Sequence, residues 1–179
     1  MNRRRLRSVV LAAALLAPGG ALLAADEGRA VLQSADGAEV GAASLRPAAF
    51  GGLIVMLETT GIPPGVHGFH LHETGECDAA SGFKSAGGHL NPTGHAHGWL
   101  NPMGPHLGDL PNILVPEDGE LAVEFFVPML SLGPVADAHS LMAGDGAAVI
   151  VHSGPDDYAS DPAGNAGDRI ACGVIEMVE

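Results

Sequence analysis

Three histidines lie within six residues of each other in the segment "VHGFHLHETGEC", residues 66–77. Residues two apart on a β-strand point to the same face, so a strand here makes His70 and His72 a chelating pair for a metal ion. His67 then lies on the opposite face, where a core histidine that hydrogen-bonds to the backbone is the simpler interpretation. A single pair of this kind is weak support for a metal, because surface strands carry such pairs by chance.

A second group of potential ligands follows in the segment "GGHLNPTGHAHGWLNPMGPHLGDL", residues 87–110. It offers imidazoles and a carboxylate without thiolates, at His89, His95, His97, His106 and Asp109. This set suits zinc or copper(II) better than it suits a cysteine-type zinc finger. Glycine and proline stand at separate turns rather than in a repeat, which argues against a flexible histidine-rich tail. His152 ends a later apolar run, where a strand-end residue that faces water is the alternative to a ligand.

The elements that must position these residues are short. Seven apolar runs, rich in β-branched and aromatic residues and bounded by turn formers, predict an all-β sandwich or barrel; they are "RAVLQS", "GGLIVMLETT", "VHGFHLHE", "NILVPE", "ELAVEFFV", "AAVIVH" and "IACGVIEMV". Two segments, residues 73–110 and 153–169, are too long for ordinary connections and are expected to be functional loops. We expect a metal to order the first of them.

The N-terminus has the order of a secretory signal. A basic stretch, "MNRRRLR", precedes an apolar run, "SVVLAAALLA", that is too short to span a bilayer; a buried N-terminal helix is the alternative. Residues 1–25 are therefore predicted to be a signal peptide, cleaved near Ala24 or Ala25 during export to the periplasm. Residues 26–179 have the length of one domain with its own core.

Charge and cysteine content narrow the function further. Residues 26–179 carry four basic and 21 acidic side chains, a formal net charge of −17, which repels nucleic acid and anionic membranes and excludes both as partners. The chain has two cysteines, Cys77 and Cys172. In an oxidising compartment an even pair favours one disulfide, with two unrelated buried thiols as the alternative.

Five motifs together resemble the copper–zinc superoxide dismutase family in its secreted bacterial form: "HGFHLHETGEC", "SAGGHLNPTGHAHG", "GPHLGDLPN", "VIVHSGPDDY" and "GNAGDRIACGVI". The resemblance extends from about Arg29 to the C-terminus. It implies an eight-stranded Greek-key β-barrel or immunoglobulin-like sandwich with two long functional loops. It also implies one copper and one zinc per subunit, and conversion of superoxide to oxygen and hydrogen peroxide by alternate reduction and reoxidation of copper. Secreted bacterial members occur as dimers and as monomers, so the resemblance allows a homodimer as well as a monomer.

The resemblance assigns the metal ligands residue by residue. The implied copper ligands are His70, His72, His89 and His152. The implied zinc ligands are His89, His97, His106 and Asp109, so that His89 bridges the two metals and also delivers a proton. Asp156 is the implied aspartate that links a ligand of each metal, with the adjacent Asp157 as the alternative.

The resemblance also assigns residues around the metals. Arg169 is the implied catalytic arginine beside copper, and Cys77 and Cys172 form the family's disulfide. His67 is the implied core histidine, whereas His95 and His139 receive no role. The negative net charge repels an anionic substrate, so the attraction of superoxide to the site must come from a local positive field. Lys84, the chain's only lysine, is interpreted as a steering cation, and an ordinary solvated lysine is the alternative.

Three other functions are alternatives. A non-enzymatic dismutase-like domain that binds zinc or copper is the main alternative, although such domains usually lose copper ligands or the arginine, and here all are present. A cupredoxin electron carrier needs a cysteine ligand with two histidines and an axial methionine, which free thiols would favour. A zinc hydrolase is disfavoured because no glutamate lies at a base-like spacing from the histidines.

Overall fold

The computed structural model describes residues 27–133 and 139–178; the predicted signal peptide lies outside this part of the chain. Ten strands and two single-turn 3-10 helices, Ala79–Ser81 and Lys84–Ala86, make up its regular structure. The strands are β1 (Gly28–Ser34), β2 (Glu39–Pro47), β3 (Leu53–Thr59), β4 (Gly65–His67), β5 (Phe69–His72), β6 (Ile113–Val115), β7 (Leu121–Val127), β8 (Ala148–His152), β9 (Arg169–Val174) and β10 (Glu176–Met177). Within the described residues, no helix has the length and apolar character needed to cross a membrane.

One large antiparallel sheet contains most of the strands. Its order is β5-β8-β9-β1-β2-β3-β7, and β10 pairs with β1. A separate pair is formed by β4 and β6. Neighbours such as β3 and β7, or β5 and β8, are far apart in the sequence, as in a Greek key. The predicted all-β fold class is confirmed.

The strands form because apolar side chains recur at every second position and share one interior. In β3, for example, Leu53, Val55 and Leu57 are buried and alternate with more exposed residues. Strand β8, which lies between β5 and β9, is buried along its whole length. Its two faces serve different clusters: Val149 and Val151 pack in the main core, and Ile150 packs in a small cluster beneath the loop that follows β5.

Two interruptions explain why ten strands stand where eight were expected. At Gly68, between β4 and β5, the backbone N–H donates to Gly154 O at 2.8 Å, and the carbonyl accepts from His152 N at 2.9 Å. A Cβ at Gly68 would lie 2.9 Å from Ala166 Cβ, so only glycine fits this close approach. Ile175, between β9 and β10, donates from its N–H to Ala147 O at 3.0 Å.

Two long segments leave this framework: residues 73–112, between β5 and β6, and residues 153–168, between β8 and β9. The first is tied to the sheet by the Cys77–Cys172 disulfide, whose Cα atoms lie 5.7 Å apart. Phe83 and Ala86, within the same segment, pack against β8 and Cys172. The predicted loops and disulfide are therefore present, and they meet beside β5 and β8.

Candidate metal centre

Four histidines from three parts of the chain converge beside β5 and β8. Each offers a ring nitrogen, and these four nitrogens all lie within 4.8 Å of one another: they belong to His70, His72, His89 and His152. All four side chains are buried. The predicted copper ligands therefore surround a common point.

The strands account for this convergence. His70 and His72 are two residues apart on β5 and point to one face, and β5 pairs with β8, which ends at His152. His89 is held against β5 because it forms an isolated β-bridge with His72. The backbone beside it is fixed by a hydrogen bond from Glu73 N to Gly88 O at 3.0 Å.

In each of the four rings, one nitrogen is held and the other is free. His70 Nε2 lies 2.8 Å from Asp156 Oδ2, and His89 Nδ1 lies 2.8 Å from Asp109 Oδ1. His72 Nδ1 and His152 Nδ1 lie 3.1 and 3.4 Å from the carbonyls of Gly87 and Gly167. The remaining nitrogens have no protein partner although they are buried: His70 Nδ1, His72 Nε2, His89 Nε2 and His152 Nε2.

Buried polar atoms without a partner are rare in proteins and need an explanation. A metal ion that accepts all four lone pairs provides one. Four imidazoles without a thiolate are a donor set that suits copper(II). The partners on the opposite nitrogens fix the orientation of each ring, as such contacts do in metal sites. The residues present therefore fit a copper ion.

A second cluster shares His89 with the first. Its potential ligand atoms, from His89, His97, His106 and Asp109, also lie within 4.8 Å of one another, and all four residues are buried. Asp109 Oδ1 lies 2.8, 3.0 and 3.3 Å from the Nδ1 atoms of these three histidines. Three imidazoles and one carboxylate match the four-coordinate sets that bind zinc, so this cluster fits a zinc ion.

The Asp109 carboxylate is itself oriented by the backbone. Its Oδ2 accepts hydrogen bonds from Gly98 N and His106 N, both at 2.9 Å. Trp99 donates from its indole N–H to the carbonyl of Asp109 at 3.2 Å. Of the two adjacent aspartates at 156 and 157, Asp156 is the one that contacts the histidines, through Oδ1 to His97 Nε2 at 3.0 Å and Oδ2 to His70.

Burial and charge set the protonation of the metal-free site. Burial lowers the pKa of His70 to about 4, although the hydrogen bond to Asp156 opposes this shift, and burial also lowers the pKa of His152 to about 3. Burial, His89 and the charge of Arg169 lower the pKa of His72. These rings are therefore neutral near pH 7, which is the form that binds metals.

On the zinc side the carboxylates dominate. Burial lowers the pKa of His97, but its hydrogen bonds to Asp109 and Asp156 outweigh burial and raise that pKa to about 9. Burial also raises the pKa of Asp156, yet the hydrogen bonds from His70 and His97 bring it down to about 2. Two ionised carboxylates thus lie among the histidines that would hold a dication.

Arg169 connects the sheet to the loop beside the first cluster, His70, His72, His89 and His152, which we call the copper-type cluster. From the start of β9, its Nη1 donates to Phe83 O at 2.6 Å and its Nη2 donates to Gly87 O at 2.7 Å. The Gly87 carbonyl is also the partner of His72 Nδ1. Lys84 is exposed and lies between the two carbonyls that Arg169 holds. Both remaining cations of the described part, Arg29 and Arg46, lie on β1 and β2.

The other histidines are members of neither cluster. His67 is buried, and its ring nitrogens lie 2.7 and 2.8 Å from the carbonyls of His152 and Pro63, as expected for a core histidine. His95 is exposed, and its Nδ1 lies 3.1 Å from Pro105 O. His139 belongs to neither cluster. The two cysteines form the disulfide and leave no free thiol, which removes the basis for a cupredoxin site.

Sequence reasoning missed several residues that hold the site together. Asn112 binds the backbone of Asp156. Gly98 adopts φ +97°, and a Cβ there would overlap the carbonyl of Tyr158; a Cβ at Gly164 would overlap the Asp156 carboxylate. No residue type predicts these roles, because each depends on how the two long loops meet. The aspartate motif at 156–157 was the one signal that pointed to this contact.

Comparison with known proteins agrees with this geometry. Residues 40–175 match the family model described as copper/zinc superoxide dismutase (SODC). The chain belongs to the copper/zinc superoxide dismutase family, of bacterial type, and the recognition made from the motifs is confirmed.

Individual relatives cover most of the chain. It is 51% identical over 125 residues to copper–zinc superoxide dismutase 2 of Aquifex aeolicus, covering 69% of this chain and 72% of that protein. It is 41% identical over 148 residues to the copper–zinc superoxide dismutase of Caulobacter vibrioides, covering 82% and 84%. The crystal structure of a SOD-like protein from Bacillus subtilis superposes with a TM-score of 0.77 at 37% identity, covering 82% of this chain and 96% of that one.

Proposed function

We propose that the protein is an exported superoxide dismutase that converts two superoxide ions and two protons to oxygen and hydrogen peroxide. The observation that carries this proposal is the pair of buried clusters that share His89. A signal peptide at residues 1–25 and a periplasmic location belong to the same proposal, and the disulfide supports them because such bonds persist in oxidising compartments.

The four histidines of the first cluster would hold copper, and His97, His106 and Asp109 would hold zinc together with His89. When bound, copper supplies the change of oxidation state that takes an electron from one superoxide and returns it to a second, whereas zinc, being d¹⁰, has no redox role. Asp156 orients His70 and His97, one ring unique to each cluster. His89 Nε2 has no protein partner, so this atom could hold a proton for the peroxide whenever its lone pair is not given to copper.

Arg169 is the residue best placed to receive the substrate anion. Its guanidinium is fixed by two backbone carbonyls, and its charge acts on His72 and His152. A net charge of −17 on residues 26–179 opposes the approach of an anion at long range. A local positive field around Arg169 and Lys84, within a shaped surface, would overcome this repulsion at short range.

One preparation tests the proposal. The protein is expressed with its N-terminus intact, isolated from the periplasm, and characterised by intact mass, metal content and dismutase activity. We expect a mature chain beginning near residue 25 or 26, one copper and one zinc per chain, and activity that chelation abolishes and that copper plus zinc restores. Zinc alone without activity would instead support the non-enzymatic alternative, a relevant outcome because one relative, 39% identical over 145 residues, is called a superoxide dismutase-like protein.

A further inference from the structure

Asn112 is the last residue of the first long loop, three residues after Asp109 and immediately before β6, and its side chain contacts the second long loop. Its side-chain amide forms hydrogen bonds with both backbone groups, N–H and C=O, of one residue in the second long loop. Asn112 Oδ1 accepts from Asp156 N at 2.8 Å, and Asn112 Nδ2 donates to Asp156 O at 2.8 Å. Both backbone groups of Asp156 are thus paired by one side chain, in the way that a neighbouring strand would pair them.

The residue that Asn112 grips bears the carboxylate between the two clusters. The Asp156 side chain is 1% exposed, and its oxygens lie 2.8 Å from His70 Nε2 and 3.0 Å from His97 Nε2. Tyr158 N also donates to Asp156 Oδ1, at 2.6 Å. A shift of the Asp156 backbone would therefore move the acceptor of a histidine in each cluster.

A third bond strengthens the same connection. Asn112 donates from its backbone N–H to the Tyr158 hydroxyl at 2.7 Å. The Tyr158 ring stacks on Trp99 with ring centroids 6.1 Å apart and an interplanar angle of 19°. The Trp99 indole in turn donates to the carbonyl of Asp109. The segment 156–158 is therefore connected to the cluster of His89, His97, His106 and Asp109, the zinc-type cluster, at two points. One is the contact of Asp156 with His97, and the other is the stacking of Tyr158 on Trp99.

We propose that Asn112 is a positioning residue that fixes the Asp156 carboxylate between His70 and His97 and so couples the two metal sites. This inference rests on the proposed function only in taking the clusters to be metal sites. Partners of metal-binding histidines typically contribute 10- to 100-fold to metal affinity. Loss of the two hydrogen bonds to the Asp156 backbone would weaken zinc binding, because His97 would lose a fixed partner. It would also leave the ring of His70, a copper ligand, less well oriented.

The test is a double-mutant cycle in zinc affinity, measured by competition with a chromophoric chelator on the full mature chain. We expect Asn112→Ala to weaken zinc binding about 10-fold, and Asp156→Ala to weaken it at least as much. In the Asp156→Ala background, Asn112→Ala should have less than about a twofold further effect, because residues that act as a unit are not additive. Two independent effects that multiply in the double variant, or an unchanged affinity in Asn112→Ala, would overturn the proposal.

Two further variants separate positioning from folding. Asn112→Asp keeps an acceptor for Asp156 N but cannot donate to Asp156 O, so it should show an intermediate loss and carries the cycle if the alanine variant does not fold. Asn101→Ala is the matched control, since the Asn101 side chain contacts neither cluster and its Oδ1 accepts from Met103 N, within the same loop, and its zinc affinity should equal that of the wild type. The copper(II) absorption and EPR spectra should change in Asn112→Ala and stay the same in Asn101→Ala. These readouts measure metal binding, so they decide the role of Asn112 whether or not the protein disproportionates superoxide.

Discussion

Lys84 is the exposed residue whose charge we propose to attract the substrate locally, because the overall charge opposes an anion. It lies in a short turn whose flanking carbonyls, at Phe83 and Gly87, are held by Arg169. This anchoring fixes the backbone on both sides of the lysine, and the Gly87 carbonyl also contacts His72, whereas the lysine side chain is exposed. We propose that its charge acts on an approaching anion without contacting the reacting atoms.

We predict that Lys84→Gln lowers kcat/KM for superoxide at low ionic strength. For two unit charges about 10 Å apart in water, Coulomb's law gives about 0.4 kcal/mol, which corresponds to a factor of about two in rate. The difference from the wild type should vanish near 1 M salt, where the Debye length is only about 3 Å. Pulse radiolysis over a range of salt concentrations measures both quantities.

Arg46→Gln is the matched control for this experiment. It removes the same charge from β2, where Arg46 lies 3.5 Å from Glu124 and outside both clusters. Its rate and salt dependence should equal those of the wild type. If the Lys84 and Arg46 variants lose rate equally, net charge alone matters, and Lys84 is an ordinary solvated lysine.

At the scale of elements, pattern predicted strands well where side chains are large. The seven apolar runs correspond to β1 and β3 to β10, because β-branched and aromatic residues alternate there. The missing strand is β2, "EVGAASLRP", whose buried residues include the small Gly41 and Ala43, so that its middle carries little β signal. It becomes a strand because β1 and β3 pair with it on both sides.

The residues of the candidate site also differ in how far the sequence could predict them. Alternation on a strand was enough to place His70 and His72 on one face, and motif resemblance supplied the other ligands. The role of Asn112 could not be predicted, because it depends on the contact between two irregular loops, in which Asn112 and Asp156 are 44 residues apart in sequence. Such contacts have no periodic pattern, and only the folded arrangement brings them together.

The disulfide yields a prediction at the element scale. Cys77 and Cys172 are 95 residues apart, and chain-entropy arguments give about 4.7 kcal/mol for a loop of about 100 residues, with measured values usually about 2–4 kcal/mol. We therefore expect the double variant Cys77→Ser/Cys172→Ser to lose about 3 kcal/mol in free energy of unfolding. Urea unfolding followed by the fluorescence of Trp99, the chain's only tryptophan, measures this loss.

Reduction provides the control for that prediction. Wild-type protein in dithiothreitol should unfold at the urea midpoint of the double serine variant, and dithiothreitol should not change the variant itself. An oxidised wild type no more stable than the serine variant would show that packing of Phe83 and Ala86 against β8 is sufficient to hold the loop.

At the scale of the whole molecule, the metal-free protein concentrates titrating groups with opposed shifts. In the unfolded chain a histidine has its ordinary pKa of about 6.5. The folded state lowers the pKa of His70 to about 4 and of His152 to about 3, but raises that of His97 to about 9. The stability of the whole fold must therefore depend on pH in both directions.

On the acid side, the unfolded chain binds protons that folded His70 and His152 reject, so the free energy of unfolding falls as pH falls from about 6.5, by roughly 1.4 kcal/mol per pH unit for each histidine. On the alkaline side, the folded state holds a proton on His97 that the unfolded chain releases, so this contribution is lost as pH rises from 6.5 through about 9.

We predict that the urea midpoint of chelated protein is highest near pH 6.5, falls steeply toward pH 4.5 and falls gently toward pH 9. His152→Gln should reduce the acid slope, and His95→Gln, which removes an exposed histidine outside both clusters, should leave it unchanged. A midpoint that stays constant between pH 6.5 and 4.5 would mean that the clustered imidazoles are not held neutral by burial.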